Sequence, residues 1–387
     1  MRINSMKPTF LIAAMAGLAL LAGCSGSQVQ PQYPPKELRD ITPQAELSQA
    51  WSQGIGDGLG RARYPIAPSR DGDNLFAADA NGRLYAMDAD DGEVQWETEL
   101  EVPISSGLTA VAGDIYLGTR NGEVLAVDQR DGSIRWRARV PSEVLAAPQP
   151  NQQLLVIQSV DGSVTALDRN TGQERWVYGT NRPSLTLRGT GTPTVIDPVT
   201  FAGFSNGRLV TLDNRNGQPV WERRVAVSQG RSDIERLVDL AGQPVLTPDG
   251  RLFVTSFNGR LAAFEATRGE PLWAKEHSSY LTPLLVGDLL FTVTEAGHVL
   301  ALNADNGDEV WRNEALGGRS LTAPAFAGGN IVFGDFEGYL HLLDARSGEI
   351  VGRTRVDKSG ISVRPVTDGA RIHALANDGS LETLDIQ

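Results

Sequence analysis

The chain has 387 residues, 41% of them hydrophobic, and a formal net charge of −12 at pH 7. This acidity makes nucleic acid a poor partner, because its binding depends on cationic contacts to phosphate. The single cysteine, Cys24, excludes an intramolecular disulfide, so neither stability nor redox chemistry can rest on one.

The first 23 residues are predicted to be an export signal. Arg2 and Lys7 form a positive start, and Phe10–Leu21 is an apolar run too short to span a bilayer durably. Leu21–Cys24 resembles a bacterial lipobox, which implies cleavage before Cys24 and a lipid (palmitate) on that residue. The alternatives are an ordinary signal peptide and an uncleaved anchor. Ser25 at the next position implies sorting to the outer membrane, on its periplasmic face.

Residues 24–44 are predicted to be a lipidated cysteine followed by a flexible tether. The stretch that follows Cys24, SGSQVQPQYPPKE, is polar and rich in proline, so it has little apolar surface to bury. The mature chain would carry a charge of about −14 because the leader removes two cations. Such a tether allows the folded body to stand away from a membrane surface.

From residue 45 to residue 387 one pattern returns in a constant register. It reads x-G-x-Φ-x-x-Φ-D-x-x-x-G-x-x-x-W, where Φ is apolar, and Asn121–Trp136 is a complete copy. Eight copies start at Asn81, Asn121, Asp161, Asn206, Asn258, Ala296, Glu337 and Asp378. A repeat of about 40–45 residues is the period of a propeller blade, so the domain needs no further division.

Each copy predicts short antiparallel strands. Asn121-Gly122 lies between two apolar β-prone runs and is a strong hairpin signal. Asp128 is expected to open a second turn by accepting backbone N–H groups, and Gly132 to close it with a positive φ. With the apolar run that precedes each hairpin, every repeat contains about four strands. The fold class is therefore all-β, an eight-bladed propeller of four-stranded antiparallel blades.

The last copy predicts how the ring closes. Asp378–Gln387 stops after a third strand, and Glu46–Gln53 near the other end contains the only tryptophan outside the repeats. We expect this N-terminal segment to complete the eighth blade and remove an exposed edge. Each indole is expected to wedge against the neighbouring blade and to need a hydrogen-bond acceptor. The docking tryptophans are Trp51, Trp96, Trp136, Trp176, Trp221, Trp273 and Trp311, with Gly352 at the eighth position.

The repeat carries a family likeness. The run Ala126–Trp136 resembles the tryptophan-docking repeat of the quinoprotein-alcohol-dehydrogenase-like propellers, whereas no tryptophan here is followed by aspartate as in WD40 repeats. With its leader and eight repeats, the whole chain is similar to the lipoprotein-subunit family of the outer-membrane β-barrel assembly machinery. The likeness implies a non-enzymatic scaffold that binds a POTRA domain of the central barrel subunit. Assistance to unfolded barrel precursors is a second role left open.

The resemblance also implies a binding site. The segment Pro183–Gly189 matches the family loop that contacts the POTRA domain, and its residues map onto Leu185, Leu187 and Arg188. An acidic residue of the next loop maps onto Asp239, but a second expected acid is replaced by Ala241. From the residues alone, the two leucines either face a partner or tuck beneath their own loop.

The spacing of the copies points independently to the same region. Successive starts are 40, 40, 45, 52, 38, 41 and 41 residues apart, so extra residues fall in Thr180–Gly189 and Val225–Gly242. Insertions between blades commonly form the binding face of a propeller. A nearby arginine cluster is read either as a rim that attracts an acidic partner or as solvated charge beside Asp233 and Glu235; its members are Arg223, Arg224, Arg231 and Arg236.

The sequence gives little indication of a catalytic site or a cofactor site. The aspartates of the repeat occupy one turn position, where Glu265 and Asn303 also occur, so they are predicted to be structural. Four histidines, His277, His298, His341 and His373, lack metal-ligand spacing. The superfamily's enzymes use pyrroloquinoline quinone, calcium and a disulfide that this chain cannot form, so no cofactor is expected. A quinoprotein-like dehydrogenase and a propeller for another envelope partner, such as a glycan, are the alternatives.

Overall fold

The strands of the chain are arranged in eight four-stranded antiparallel sheets, which form the predicted eight-bladed propeller. The computed structural model describes residues 32–180, 183, 185–187, 191–227, 231 and 236–387. Pro35–Gln387 form one compact unit, which contains every strand of the described residues. In those same ranges, no helix has both the length and the apolar character needed to cross a membrane.

The first strand in the sequence, β1 (Leu47–Gly54), belongs to the last blade, and the next sixteen strands build blades 1 to 4 in order. Blade 1 contains β2 (Ser69–Asp71), β3 (Asn74–Ala78), β4 (Arg83–Asp88) and β5 (Val94–Glu99). Blade 2 contains β6 (Thr109–Val111), β7 (Asp114–Gly118), β8 (Glu123–Asp128) and β9 (Ile134–Arg139). Blade 3 contains β10 (Gln149–Pro150), β11 (Leu154–Gln158), β12 (Ser163–Asp168) and β13 (Glu174–Gly179). Blade 4 contains β14 (Thr194–Val195), β15 (Val199–Gly203), β16 (Arg208–Asp213) and β17 (Pro219–Arg224).

The remaining strands continue in the same order around the ring. Blade 5 contains β18 (Val245–Leu246), β19 (Arg251–Thr255), β20 (Arg260–Glu265) and β21 (Glu270–Glu276). Blade 6 contains β22 (Leu284–Val286), β23 (Leu289–Val293), β24 (Val299–Asn303) and β25 (Glu309–Asn313). Blade 7 contains β26 (Ala325–Ala327), β27 (Asn330–Gly334), β28 (Tyr339–Asp344) and β29 (Ile350–Arg355). Blade 8 contains β30 (Val366–Asp368), β31 (Arg371–Leu375), β32 (Ser380–Ile386) and β1.

The predicted ring closure is confirmed. Strand β1 pairs antiparallel with β32, and Trp51 lies opposite Thr383 in the register. The last residue is thus tied to the segment that leads into β1, because Gln387 N–H donates to the carbonyl of Glu46 at 2.9 Å. Because the closing strand comes from the other end of the chain, the ring cannot form until both ends have been brought together.

The first strands of the blades face the central axis. Neighbouring first strands lie against each other, for example β2 against β6 and β26 against β30. An ion pair of 2.8 Å between Arg70 of β2 and Asp368 of β30 joins blade 1 to blade 8 at this inner edge. The middle strands β3 and β4, which carry Phe76 and Leu84, are almost continuously buried because the sheets of two neighbouring blades cover them.

The docking of the seven tryptophans is confirmed. Each indole N–H donates to a backbone carbonyl of the next blade, at the residue directly after the repeated turn position. The acceptors, in chain order, are Ala89, Gln129, Arg169, Asn214, Ala266, Ala304 and Ala345. The second glycine of the next repeat lies under the ring, so a Cβ on Gly172 would come within 2.6 Å of the Trp136 indole. One tryptophan and one glycine therefore form each seam.

The repeated turn carboxylates accept backbone N–H groups, as predicted. Asp88 accepts from the N–H of Asp90 at 2.8 Å, and Asp344 accepts from that of Arg346 at 3.0 Å. The amide oxygen of Asn303 does the same at 2.9 Å, which shows that an acceptor and not a charge is required. These side chains hold the turn that presents the acceptor carbonyl to the docking tryptophan.

The seam without a tryptophan is covered by residues 36–45, which we name the strap. The N–H groups of Gln44 and Ala45 donate to the carbonyl of Val351 at 2.8 and 3.0 Å. The neighbouring Gly352 must lack a side chain, because its Cβ would lie 2.8 Å from the carbonyl oxygen of Ala45. Thus, backbone of the strap occupies the eighth docking position, and residues 36–44 of the predicted tether lie on the propeller.

Two buried histidines predict that the propeller loses stability in mild acid. Burial lowers the pKa of both His277 and His373 from 6.5 to about 4, and their rings bond Thr292 and Thr383 at 2.9 and 2.6 Å. The unfolded chain therefore binds more protons below pH 6.5, so the free energy of unfolding falls as the pH drops from about 6.5 to about 4. Thermal unfolding midpoints across this range test the prediction.

The matched variant for that test is His277→Gln, which does not titrate and keeps a group able to bond Thr292. Its midpoint is expected to fall less steeply with acid than that of the parent protein. An equal slope in both proteins would assign the acid sensitivity to other groups.

Candidate protein-binding site

The two long connections predicted from the repeat spacing lie next to each other. The first joins β13 to β14, and the second joins β17 to β18. Both run from the fourth strand of a blade to the first strand of the next, so they emerge on one face of the ring. They flank blade 4, whose β15–β16 hairpin turn, with Ser205 and Asn206, lies between them.

The second connection is held firmly at both ends of its described part. At its start, the N–H groups of Val225 and Ala226 donate to the carbonyl of Gly207 at 2.9 and 3.2 Å. Gly207 has a φ of +76°, and a Cβ on it would lie 2.3 Å from the Ala226 oxygen. Near its end, Leu240 is fully buried, and its backbone lies against Gly203 and Gly191. This segment is therefore a supported wall of the site.

An open groove of about 280 Å³ lies between the two connections and the hairpin of blade 4. Its apolar walls come from Pro183 and Leu185 on one side and from Ala226, Val227 and Val238 on the other. Leu185 and Val227 are 43% and 50% exposed, which is unusual for large apolar side chains. Arg224 and Arg236 complete the lining. Such a groove suits an apolar side chain that has an acidic group beside it.

Three of the four predicted contact residues are described, and each lies in a different environment. Leu185 lines the groove and is not tucked beneath its loop, whereas Leu187 is half-buried and is not among the lining residues. Arg188 lies outside the described residues. Asp239 is only 2% exposed, and its carbonyl accepts the N–H of Phe257 at 2.7 Å. A partner would thus touch the surface around Asp239 and not its carboxylate.

The arginine cluster divides into two roles. Arg223 donates to the carbonyls of Gly269 and Arg268 at 2.7 and 2.9 Å, so it ties blade 4 to blade 5. Arg224 and Arg236 line the groove, which fits the rim interpretation. Arg231 is among the described residues, but Asp233 and Glu235 are not. The alternative of charge neutralised by those two acids stays open.

Sequence reasoning missed Val227 as a groove residue. The strand β17 ends at Arg224, and the next two residues are buried before Val227 emerges. The apolar triplet 225–227 resembles the start of a buried strand, so its exposed third member carries no distinct signal. In the structure, Val227 is the first residue after the bond of Ala226 to Gly207, and it lines the groove.

Comparison with known proteins agrees with this architecture. The family model described as "Outer membrane protein assembly factor BamB" matches residues 44–110, 80–313 and 295–387. A relative named outer membrane protein assembly factor BamB, from Pseudomonas aeruginosa, is 48% identical over 376 residues and covers 97% of this chain and 98% of its own. The chain belongs to the BamB family. The family resemblance inferred from the sequence is thereby confirmed.

Two solved structures resemble this chain to different degrees, one from the same family and one that shares only the fold. The crystal structure of BamB from Moraxella catarrhalis has a TM-score of 0.80 at 28% identity and covers 88% of this chain and 100% of its own. The quinohemoprotein alcohol dehydrogenase of Comamonas testosteroni has a TM-score of 0.68 at 14% identity, over 88% of this chain and 76% of its own. The second likeness shows the propeller fold alone.

The described residues offer no candidate site for a metal ion such as calcium. No group of three or more His, Cys, Asp or Glu side chains lies close enough together there to hold a metal ion. The four histidines occupy four separate places. His341 and His373 bond Asp335 and Thr383 of their own blades, and His277, directly after the last strand of blade 5, bonds Thr292 of blade 6. That the chain uses no cofactor stays a prediction.

Proposed function

We propose that this BamB-family chain is a lipid-anchored, non-enzymatic scaffold of the outer-membrane assembly machinery, and that it docks onto a POTRA domain of the central barrel subunit through the groove beside blade 4. The relatives' shared name, outer membrane protein assembly factor, supports the role in assembly. The groove supports docking. Lipidation of Cys24 at the outer membrane would raise the local concentration of the two partners.

The observation that carries the docking proposal is the exposure of Leu185. Leu185 is 43% exposed and lies on the groove wall opposite the anchored segment around Ala226, so much of its side chain is not buried within its own chain. Covering such a side chain with a partner removes apolar area from water, at roughly 25 cal/mol per Å². Leu185 is therefore proposed as the anchor, with Leu187 supporting the loop from its half-buried position.

The positive charges around the groove would orient a partner as it docks. Arg224 and Arg236 line the groove, and the proposed contact Arg188 follows Leu187 in the chain. A POTRA surface that places a carboxylate or a carbonyl beside its apolar patch would pair with these guanidinium groups. Because such pairs steer association, binding is expected to weaken as salt rises.

The test is the affinity of residues 25–387 for the periplasmic region of the barrel subunit. The variant Leu185→Ala/Leu187→Ala/Arg188→Ala is expected to bind about 2 kcal/mol more weakly, roughly a thirtyfold rise in Kd, because it removes the anchor and one charge. Calorimetric titration measures the change directly.

The matched control is Leu272→Ala/Val310→Ala, which removes two apolar side chains of similar exposure, 50% and 52%, from the outer strands of blades 5 and 6. Its affinity is expected to equal that of the parent protein. If the triple variant also binds normally, the groove is not the docking site; if the parent protein does not bind at all, the proposed partner is wrong.

A further inference from the structure

Equivalent residues of the blades form a ring around the central channel, and one member of this ring is a charged side chain. In seven blades a buried proline enters the first strand, and the residue before it is at least partly exposed. These residues are Ala67, Ala147, Thr192, Gln243, Thr282, Ala323 and Arg364. Because the first strands face the axis, the exposed member of each blade faces the channel.

Contacts around the ring confirm that successive members touch. Blade 2 has Gly107 at this level, and a Cβ built on it would lie 3.3 Å from the Cβ of Ala147 and 3.7 Å from that of Ala67. On the other side, the N–H of Gln243 donates to the hydroxyl of Thr282 at 2.9 Å, and its amide donates to the carbonyl of Pro193 at 3.3 Å. Gln243 thus bonds residues of blades 4 and 6.

Arg364 differs from all of these. Its ring neighbours in blades 7 and 1 are alanines, Ala323 and Ala67, which offer its guanidinium no acceptor. Among the described residues no ion pair or hydrogen bond with its side chain is found, although its neighbours Val363 and Pro365 are buried. Arg364 is itself exposed, so its guanidinium extends into the channel and not into the body of a blade. Desolvation lowers the pKa of Arg364.

Two less exposed arginines of the neighbouring blade both have acceptors. Arg319 bonds Asp335 at 2.7 Å, and Arg353 bonds His341 at 3.2 Å and the carbonyl of Arg39 at 3.0 Å. Arg364 has no such acceptor among the described residues, so its N–H donors are free to bind an oxyanion. The guanidinium group is suited to this because its planar N–H donors match two oxygens at once.

We infer that the channel mouth on the groove face binds a small oxyanion, a carboxylate or a phosphate, with Arg364 as its anchor. This inference does not depend on docking to a POTRA domain, since the site lies on the axis and not between blades 3 and 5. The alanines on either side leave room for the ligand, and the uncharged ring members set no competing charge.

The experiment compares the thermal unfolding midpoint of the mature lipid-free chain in chloride, inorganic phosphate and citrate at equal ionic strength. Phosphate and citrate stabilise proteins generally, so the measure is the difference between variants. Arg364→Gln is expected to match or exceed the parent protein in chloride. In either oxyanion the parent midpoint is expected to rise by about 2–4 °C more than that of the variant.

The control is Arg139→Gln, which removes an exposed arginine of the outer strand β9, away from the channel and the groove, and is expected to respond to oxyanions as the parent protein does. Phosphate and citrate arms separate an inorganic anion from a carboxylate. Equal responses of the parent protein and Arg364→Gln would overturn the site, and so would a lower midpoint of the variant in chloride, because the arginine would then be structural. If that variant does not fold, calorimetric titration of the parent protein with each anion is the test. Absence of binding heat with both anions would refute the proposal.

Discussion

Trp221→Ala is expected to lower the free energy of unfolding by about 3–5 kcal/mol. The indole is only 8% exposed, it donates to the carbonyl of Ala266 at 3.0 Å, and it lies on Gly269 of the next blade. Alanine would leave a cavity between blades 4 and 5 and a buried carbonyl without its donor. Urea unfolding followed by circular dichroism measures the change, and hydrogen exchange shows whether it is confined to this seam.

The control for that measurement is Val220→Ala in the same strand. Val220 is 53% exposed, so its truncation is expected to change stability by no more than about 0.5 kcal/mol. If Trp221→Ala also changes stability by less than about 1 kcal/mol, the neighbouring blades close around the cavity, and the seams are not the main source of stability.

Arg319→Met is expected to cost about 3–5 kcal/mol, because it leaves a buried carboxylate without its cation. The side chain of Arg319 is 3% exposed and that of Asp335 is fully buried. Burial alone would raise the pKa of Asp335, but hydrogen bonds from His341, Tyr339 and Arg319 together hold this pKa below its usual value. Arg319 also bonds Glu337. Thermal or chemical unfolding measures the loss.

The same network fixes the strap. Arg319 donates to the carbonyl of Lys36 at 3.1 Å, and Arg353 donates to the carbonyl of Arg39 at 3.0 Å. Since an arginine can only donate, Nδ1 of His341 accepts from Arg353, and its Nε2–H donates to Asp335. Loss of Arg319 is therefore expected to speed trypsin cleavage within residues 36–45.

Arg312→Met is the matched control, because Arg312 is 40% exposed and pairs with Glu309 at 2.6 Å on the surface. Surface pairs contribute little, so a change of at most about 1 kcal/mol is expected. Equal stability of the two variants would show that water replaces the lost cation at Asp335.

Much of the fold was predictable because its determinants are local and repeated. A turn acceptor at Asp128, a positive-φ glycine at Gly132 and an indole at Trp136 recur at fixed spacing, so one copy explains the seven seams that contain a tryptophan. The broken last copy and the isolated Trp51 also predicted the closing strand. The lengths of the two connections beside blade 4 placed the candidate site on one face.

The tertiary structure decided whatever depends on residues that are distant in the chain. The carbonyl of Lys36 meets Arg319, 283 positions away, and a backbone acceptor has no signature in a sequence. The sequence gives no sign that Asp239 is buried, but in the structure it lies beside the fully buried Leu240 and is only 2% exposed. The isolation of Arg364 arises because the ring sets alanines of blades 7 and 1 on either side of it. The repeat by itself determined the blades and their seams, whereas closure of the ring determined which side chains are left exposed, since only the closed ring brings distant blades into contact.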